Sequence, residues 1–239
     1  MSSNSLEGRL ALVTGASRGI GYEVSKRLAS EGAHVIALAR TLGGLEELDD
    51  EIKATGGQCT IAQMDLSDHD RIDALGASLY ERFGKLDILV GNAGMLGELT
   101  PVGHISPKVW DRVISINLTA NYRLIRSLGP LLQQSDAGRA IFVSSAAVEE
   151  QNPFWALYTA SKAGLEAMVM AYAKEMSKSN IKANIIHPGR VWTAMQAKAY
   201  PGIKPDDLPK PSEITDIFVK LASTDLEVTG EIFNATVKE

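Results

Sequence analysis

The sequence predicts an α/β protein, a doubly wound parallel sheet of about seven strands with helices on both faces. Three observations carry that expectation. Short apolar runs that read as buried strands alternate along the chain with segments of helical spacing. A glycine-rich turn, Thr14-Gly15-Ala16-Ser17-Arg18-Gly19-Ile20-Gly21, stands between the first run and the first helical segment. The chain of 239 residues has the length of one such domain rather than two. Residues 1–239 are therefore read as a single domain, with a flap at about 194–211.

The elements follow in order. Leu10 to Val13 is the first strand, and Gly19 to Ser30 places Ile20, Val24 and Leu28 at helical spacing before Gly32 stops it. His34 to Ala39 is the second strand and Leu42 to Thr55 a helix ended by Gly56-Gly57. Cys59 to Met64 is the third strand and Asp68 to Phe83 a helix ended by Gly84. Leu86 to Val90 is the fourth strand. Pro107 to Gln134 carries a long helical pattern, with an interruption expected near Gly129-Pro130. Arg139 to Ser144, the helix Phe154 to Ser177 and Ile181 to His187 continue the rhythm, stopped by Pro188-Gly189. Met195 to Pro211 reads as an irregular flap, Ser212 to Ser223 as the last helix and Glu231 to Ala235 as the last strand.

Composition bounds the function. With 45% hydrophobic and 22% charged residues the chain can bury a sizeable core, which excludes global disorder. The 24 basic and 29 acidic residues leave a net charge of -5, which argues against a nucleic-acid surface. Cys59 is the one cysteine, so no intrachain disulfide forms, and it reads as a small apolar residue. No apolar run has the length of a membrane span, and Met1 to Arg9 lacks the apolar centre of a signal peptide. A cytoplasmic protein that engages no membrane is the expectation.

Parallel sheets bind ligands beyond the carboxyl ends of their strands, so chemistry is sought just after each apolar run. In the first turn, Gly15 permits the tight bend, Gly19 lets a pyrophosphate approach the backbone and Gly21 lets the helix lie close to the sheet. The following helix presents unpaired N–H groups and a positive dipole end. The second strand ends Ala37-Leu38-Ala39-Arg40-Thr41, with no carboxylate to receive a ribose 2′-hydroxyl. Arg18 and Arg40 suit a 2′-phosphate instead, so NADP(H) is favoured over NAD(H).

These motifs resemble those of the short-chain dehydrogenase/reductase family, whose members are Rossmann-type single domains. The resemblance runs from Gly8 to about Ala235. Beside the glycine turn it rests on Asp65-Leu66, Asn92-Ala93-Gly94, Asn117, Ser144-Ser145, Tyr158-Thr159-Ala160-Ser161-Lys162 and Pro188-Gly189-Arg190-Val191-Trp192-Thr193. The stretch Thr193-Ala194-Met195 and the proline-rich flap look most like a subgroup of bacterial reductases of undefined substrate. The resemblance implies an NADP(H)-dependent oxidoreductase acting on a small-molecule carbonyl or alcohol. It places Gly15, Ser17, Arg18, Gly19, Ile20, Gly21, Arg40, Asp65, Leu66, Asn92, Ala93, Gly94, Tyr158, Lys162, Pro188, Gly189, Val191 and Thr193 around the cofactor. For Asp65 a place at a helix N-cap is an equal reading.

Tyr158 and Lys162 are four apart and share a helix face. A free phenol is a poor acid or base at neutral pH, and a nearby ammonium favours its phenolate. Tyr158 can then exchange a proton with a carbonyl or alcohol oxygen as hydride moves. Ser145, thirteen residues earlier, would hold that oxygen, with Ser144 its competitor. By resemblance Lys162 also holds the nicotinamide ribose, and Asn117 a water that relays protons. Phe154, Trp155, Met95, Leu96 and Trp192 are placed to line a substrate pocket, and His104 and His187 read as structural. No metal site is expected.

One departure stands out. Gly91 occupies the place where the family usually has an asparagine, so a side-chain amide that braces the central strands is expected to be missing. Lys198, Lys204 and Lys210 lie in the flap and read as a solvated charged loop. A 3-oxoacyl thioester reductase and a non-catalytic dinucleotide-binding regulator are the alternatives, and the Ser145-Tyr158-Lys162 set argues against the second. By resemblance the two longest helices pair across a two-fold axis into a homodimer or homotetramer.

Overall fold

The computed structural model describes residues 5–235; residues 1–4, part of the polar N-terminal stretch, and residues 236–239 lie outside them. The strands are β1 (Leu10–Thr14), β2 (His34–Ala39), β3 (Gln58–Gln63), β4 (Ile88–Gly91), β5 (Arg139–Val143), β6 (Lys182–His187) and β7 (Ile232–Asn234). They form one sheet in the order β3-β2-β1-β4-β5-β6-β7, and every pairing is parallel. The helices are α1 (Gly19–Ser30), α2 (Leu42–Ala54), α3 (His69–Phe83), α4 (Pro107–Ile114), α5 (Ala120–Gln133), α6 (Ala147–Glu150), α7 (Ala156–Glu175), α8 (Ala194–Ala199) and α9 (Asp216–Ala222).

Each strand feeds two cores by alternation. Ala11 and Val13 of β1, Val35 and Ala37 of β2, and Ile141 and Val143 of β5 face a core closed by Leu28 of α1, Leu48 of α2 and Phe218 of α9. The residues between them, Leu10 and Leu12, Ile36 and Leu38, and Ala140 and Phe142, face the opposite core, closed by Leu75 of α3, Leu128 of α5 and Leu165 of α7. Period two on a sheet buried on both sides makes the strands read as continuous apolar runs. Each fully buried Leu or Ile adds roughly 1.5–3 kcal/mol, so the sheet is the rigid platform on which the loops at its carboxyl ends rest.

The opposite rim is tied by charge. Asp87 is buried and accepts from the backbone N–H of Leu10 at 2.8 Å, Ser135 Oγ at 2.5 Å and Lys85 Nζ at 2.9 Å. Burial pushes its carboxyl up, but those donors outweigh burial and hold it below the usual carboxylate range. The buried Arg9 guanidinium joins the carbonyls of Asp87, Ala137 and Ala222.

Several boundaries differ from the sequence expectation. The long helix does not break at Gly129-Pro130: α5 runs on through Pro130 to Gln133 and forgoes the one bond a nitrogen there would give the Arg126 carbonyl. The break lies earlier, in a π turn over Ser115–Thr119 that separates α4 from α5. The flap is more regular than expected, holding α8 and 3-10 turns at Pro205–Asp207 and Pro211–Ile214. The second of these shortens the last helix to α9. Helix α7 begins at Ala156 because Phe154 adopts φ +73, which no helix tolerates.

Gly91 also has an explanation. A Cβ there would lie 2.4 Å from Phe142 Cδ1 and 2.6 Å from Asn121 Oδ1. The buried Phe142 ring and the Asn121 amide fill that space, and Asn121 Nδ2 donates to the Asn117 carbonyl at 2.8 Å. The loss of a side chain at 91 is matched by side chains from β5 and α5. Gly91→Asn is therefore expected to overpack the junction and cost roughly 1–3 kcal/mol, read as a lower urea midpoint. An unchanged midpoint would show that Phe142 and Asn121 yield freely.

Candidate active site

The strand order reverses direction between β1 and β4, which leaves a crevice beyond their carboxyl ends. A small clasp sets its floor. Thr14 Oγ1 accepts from the backbone N–H groups of Asn92 and Ala93, both at 3.0 Å, and Asn92 Nδ2 donates to the Thr14 carbonyl at 2.8 Å. Gly15 follows with φ +70, and a Cβ on Gly21 would meet the Gly15 carbonyl at 2.4 Å and Asn92 Nδ2 at 2.5 Å. Helix α1 thus lies against the clasp, and its N-terminus has no side-chain cap. Its first N–H groups face a cavity of about 850 Å³ lined by Gly15, Ser17, Arg18, Gly19 and Ile20, a cradle suited to a phosphate group.

Arg18 and Arg40 stand exposed on that cavity, beyond the ends of β1 and β2. Arg40 Nη1 lies 3.7 Å from Asp65 Oδ2, an exposed pair worth little by itself. Asp65 Oδ1 accepts from the Ser67 N–H at 2.9 Å and Ser67 Oγ at 2.8 Å, and these bonds hold its carboxyl below the usual range although burial opposes them. Leu66 is buried beside it. The N-cap of α3 is Asp68, which accepts from the Arg71 N–H, so Asp65 is left on the cavity wall.

The four residues of the expected catalytic set converge at the far end. Asn117 is fully buried in the π turn. Its Oδ1 accepts from the Met95 N–H at 2.8 Å, and its Nδ2 donates to the Met95 carbonyl and Ser161 Oγ, both at 2.9 Å. The side chain therefore clasps the loop after β4 to α7. Tyr158 and Lys162 project from one face of α7, with Lys162 Nζ 5.9 Å from the Tyr158 ring centre and donating to the Val143 carbonyl at 2.7 Å. Ser144 and Ser145 part company here. Ser144 is buried and donates to Glu166 Oε1 at 2.5 Å, while Ser145 lines the cavity and accepts from the Ala147 N–H at 3.2 Å.

Burial dominates the proton affinities. It pushes the Tyr158 phenol up to about 12, and a hydrogen bond with the Ser145 hydroxyl opposes that rise. It pushes the Lys162 ammonium down to about 8, with the Glu166 charge opposing. Desolvation is thus the larger influence on both groups.

A third apolar cluster encloses this end. Leu96, Ala147 and Tyr158 form its buried part, and Leu99, Trp155, Met195 and Ala199 pack on them. The Trp155 ring lies 5.9 Å from that of Tyr158 and 5.7 Å from that of Tyr200, and the Arg190 guanidinium sits 4.6 Å over the Tyr200 ring. Lys198 Nζ donates to the Gly97 carbonyl at 3.0 Å, which joins the flap to the loop after β4.

Comparison with known proteins identifies the family. A family model described as short chain dehydrogenase matches residues 9–204. The chain belongs to the short-chain dehydrogenase family. Its activity class is that of an NAD(P)-dependent oxidoreductase. Among relatives, an uncharacterized oxidoreductase, YciK, of Escherichia coli K12 is 35% identical over 234 residues, covering 96% of this chain and 92% of the relative. The 3-oxoacyl-[acyl-carrier-protein] reductase FabG of Thermotoga maritima is 31% identical over 236 residues, covering 95% and 96%. A solved short chain dehydrogenase of Escherichia coli CFT073, complexed with NADPH, superposes with a TM-score of 0.94 at 34% identity, covering 99% of this chain and all of that one.

The structure brings nearly every expected residue of this short-chain dehydrogenase to one cavity. Asn92, Ala93, Gly94, Pro188, Gly189, Val191 and Thr193 line it with the glycine turn and the Tyr158–Lys162 pair. Two expected residues stand back: Gly21 acts through packing, and Asn117 lies behind the wall. Of the expected pocket residues Met95, Leu96, Trp155 and Trp192 line the cavity, while Phe154 points away, 56% exposed. Lys198 is a latch rather than a solvated charge. Sequence reasoning missed Ala147, Met195, Tyr200 and Glu166; only Glu166 left a trace, one helical turn after Lys162.

The buried ammonium has a readable consequence. Lys162 holds its proton below about pH 8 and loses it above. Carbonyl reduction that needs the charged form is expected to plateau at lower pH and fall as pH rises through about 8, read as the basic limb of kcat/KM. A rate that keeps rising past that point would show that the charged lysine is not required.

Proposed function

We propose that this short-chain dehydrogenase reduces a compact, apolar ketone or aldehyde with NADPH. The observation that carries the reading is the placement of Tyr158: its phenol stands within hydrogen-bond reach of Ser145, at the closed end of an apolar cluster. A phenol in that place can give its proton to a carbonyl oxygen, with the Lys162 ammonium favouring the phenolate left behind. The cofactor cradle fits a dinucleotide, since the uncapped start of α1 suits its pyrophosphate and Arg18 and Arg40 suit a 2′-phosphate. Bound NADPH supplies the hydride. Ser145 orients the carbonyl oxygen, Tyr158 donates its proton to it, and Lys162 stabilises the resulting phenolate until a proton returns from solvent.

The walls speak to the substrate. Leu96, Trp155, Met195 and Ala199 offer apolar and aromatic surface around Tyr158. The nearby cations are engaged elsewhere, Arg190 on the Tyr200 ring and Lys198 on the Gly97 carbonyl. That disfavours a long anionic thioester carrier, although a relative bears the name of such a reductase. NADPH serves as a cytoplasmic reductant, so the cytoplasm is the proposed place of action. A homodimer or homotetramer through α4, α5 and α7 is supported by Trp110 and Tyr122, exposed by 39% and 50%, and by exposed Ala167 and Ala171.

Two measurements test the reading. NADPH is expected to bind about tenfold more tightly than NADH by nicotinamide fluorescence, and Arg40→Ala to lose that margin. Equal binding of the two cofactors would overturn the 2′-phosphate assignment. Tyr158→Phe is expected to lower kcat on a carbonyl panel by about a hundredfold or more while leaving NADPH affinity intact. Full activity in that variant would remove Tyr158 from the chemistry.

A further inference from the structure

Beneath the proposed catalytic group lies a largely buried polar triad that the reduction itself does not use. Glu166 Oε1 accepts from two donors at once, Ser144 Oγ at 2.5 Å and His187 Nε2 at 2.8 Å. His187 and Ser144 are buried, and the Glu166 side chain retains 13% exposure. A carboxylate only accepts, so His187 must carry its proton on Nε2. The three residues come from three elements. Ser144 follows the last residue of β5 just before Ser145, His187 ends β6 just before Pro188-Gly189, and Glu166 lies on α7 one turn after Lys162. One oxygen atom therefore ties together the oxyanion-holding serine, the wall beside the nicotinamide site and the acid–base helix.

The same carboxylate is the charge that faces Lys162. Around Lys162, α7 supplies Tyr158 and Glu166, β6 supplies His187, and the nearby parts of β5 and the π turn bring only Ser144, Ser145 and Asn117. Among the described residues, Glu166 is the one formal negative charge acting on the Lys162 ammonium, which itself bonds to the Val143 carbonyl and not to Glu166. A buried cation with no anion near it would shed its proton.

We propose that Glu166 is a positioning residue for the reduction: it braces Ser144 and His187 and supplies the negative charge that keeps Lys162 protonated during turnover. The proposal rests on the reductase reading above, and its test separates the two. Glu166→Gln keeps an amide oxygen for both donors and deletes only the charge. With NADPH and phenanthrenequinone, a planar apolar diketone, as probe, its basic limb in kcat/KM is expected about one pH unit lower than wild type, with the same melting temperature. At pH 8 kcat drops several-fold while KM stays nearly constant. Glu166→Asp keeps the charge on a shorter arm, so the limb stays at its wild-type place while thermal stability falls; this variant carries the test if Glu166→Gln does not fold. Superimposable profiles for Glu166→Gln and wild type, a loss uniform across pH, or a shifted limb in Glu166→Asp would each overturn the proposal. If the wild type reduces no carbonyl, the reductase reading fails. The pH dependence of NADPH binding then reads Lys162 directly, and an unchanged dependence in Glu166→Gln overturns the proposal there too.

Discussion

Everything at the site hangs from the junction of β1 and β4. Sequentially distant strands meet there, and Thr14 and Asn92 close the gap with side-chain bonds to each other's backbone. The clasp adds only modest stability, since each bond nets about 1 kcal/mol, but it fixes where the loops after both strands begin. The glycine turn leaves on one side and Asn92-Ala93-Gly94 on the other, so the cavity is the space the reversal of strand order leaves open. Asn117 extends the same device, holding the next stretch of that loop, Met95, to α7.

Burial then divides the chemistry. Withdrawal from water penalises charge of either sign, so it raises a phenol and lowers an ammonium together. Tyr158 and Lys162 respond in this way, and each is opposed by a partner: Ser145 for the first and Glu166 for the second. The result is a neutral acid next to a cation that is easily persuaded to give up its proton. The apolar cluster around Tyr158 is also what withdraws its phenol from water.

Local signals made much of this legible in the sequence. Most of the apolar runs appear because the inner strands, buried on both faces, leave no polar side to interrupt them. The glycine turn and the Tyr158–Lys162 spacing are visible because turn geometry and helical pitch act over a few residues. What was hidden depends on distant partners. The π turn at Ser115–Thr119 answers the demand that Asn117 reach Met95 and Ser161, which no local pattern encodes. Gly91 looked like a lost brace until Phe142 and Asn121 were seen to occupy its space. Glu166 carries the common spacing of a solvated helix pair, and only the docking of the ends of β5 and β6 reveals it as bonded to Ser144 and His187.

The strand order also shapes how such a site comes into being. β1 emerges first from the ribosome but pairs with β4, whose residues follow more than seventy positions later. The cavity wall needs β6 and the flap, later still. Contacts so distant in sequence close slowly, since loop entropy is spent before they return it. The cradle for the cofactor thus has a floor before it has walls. A dinucleotide arriving during synthesis would meet the start of α1 long before it met Lys162, and ligand and chain could finish their assembly together.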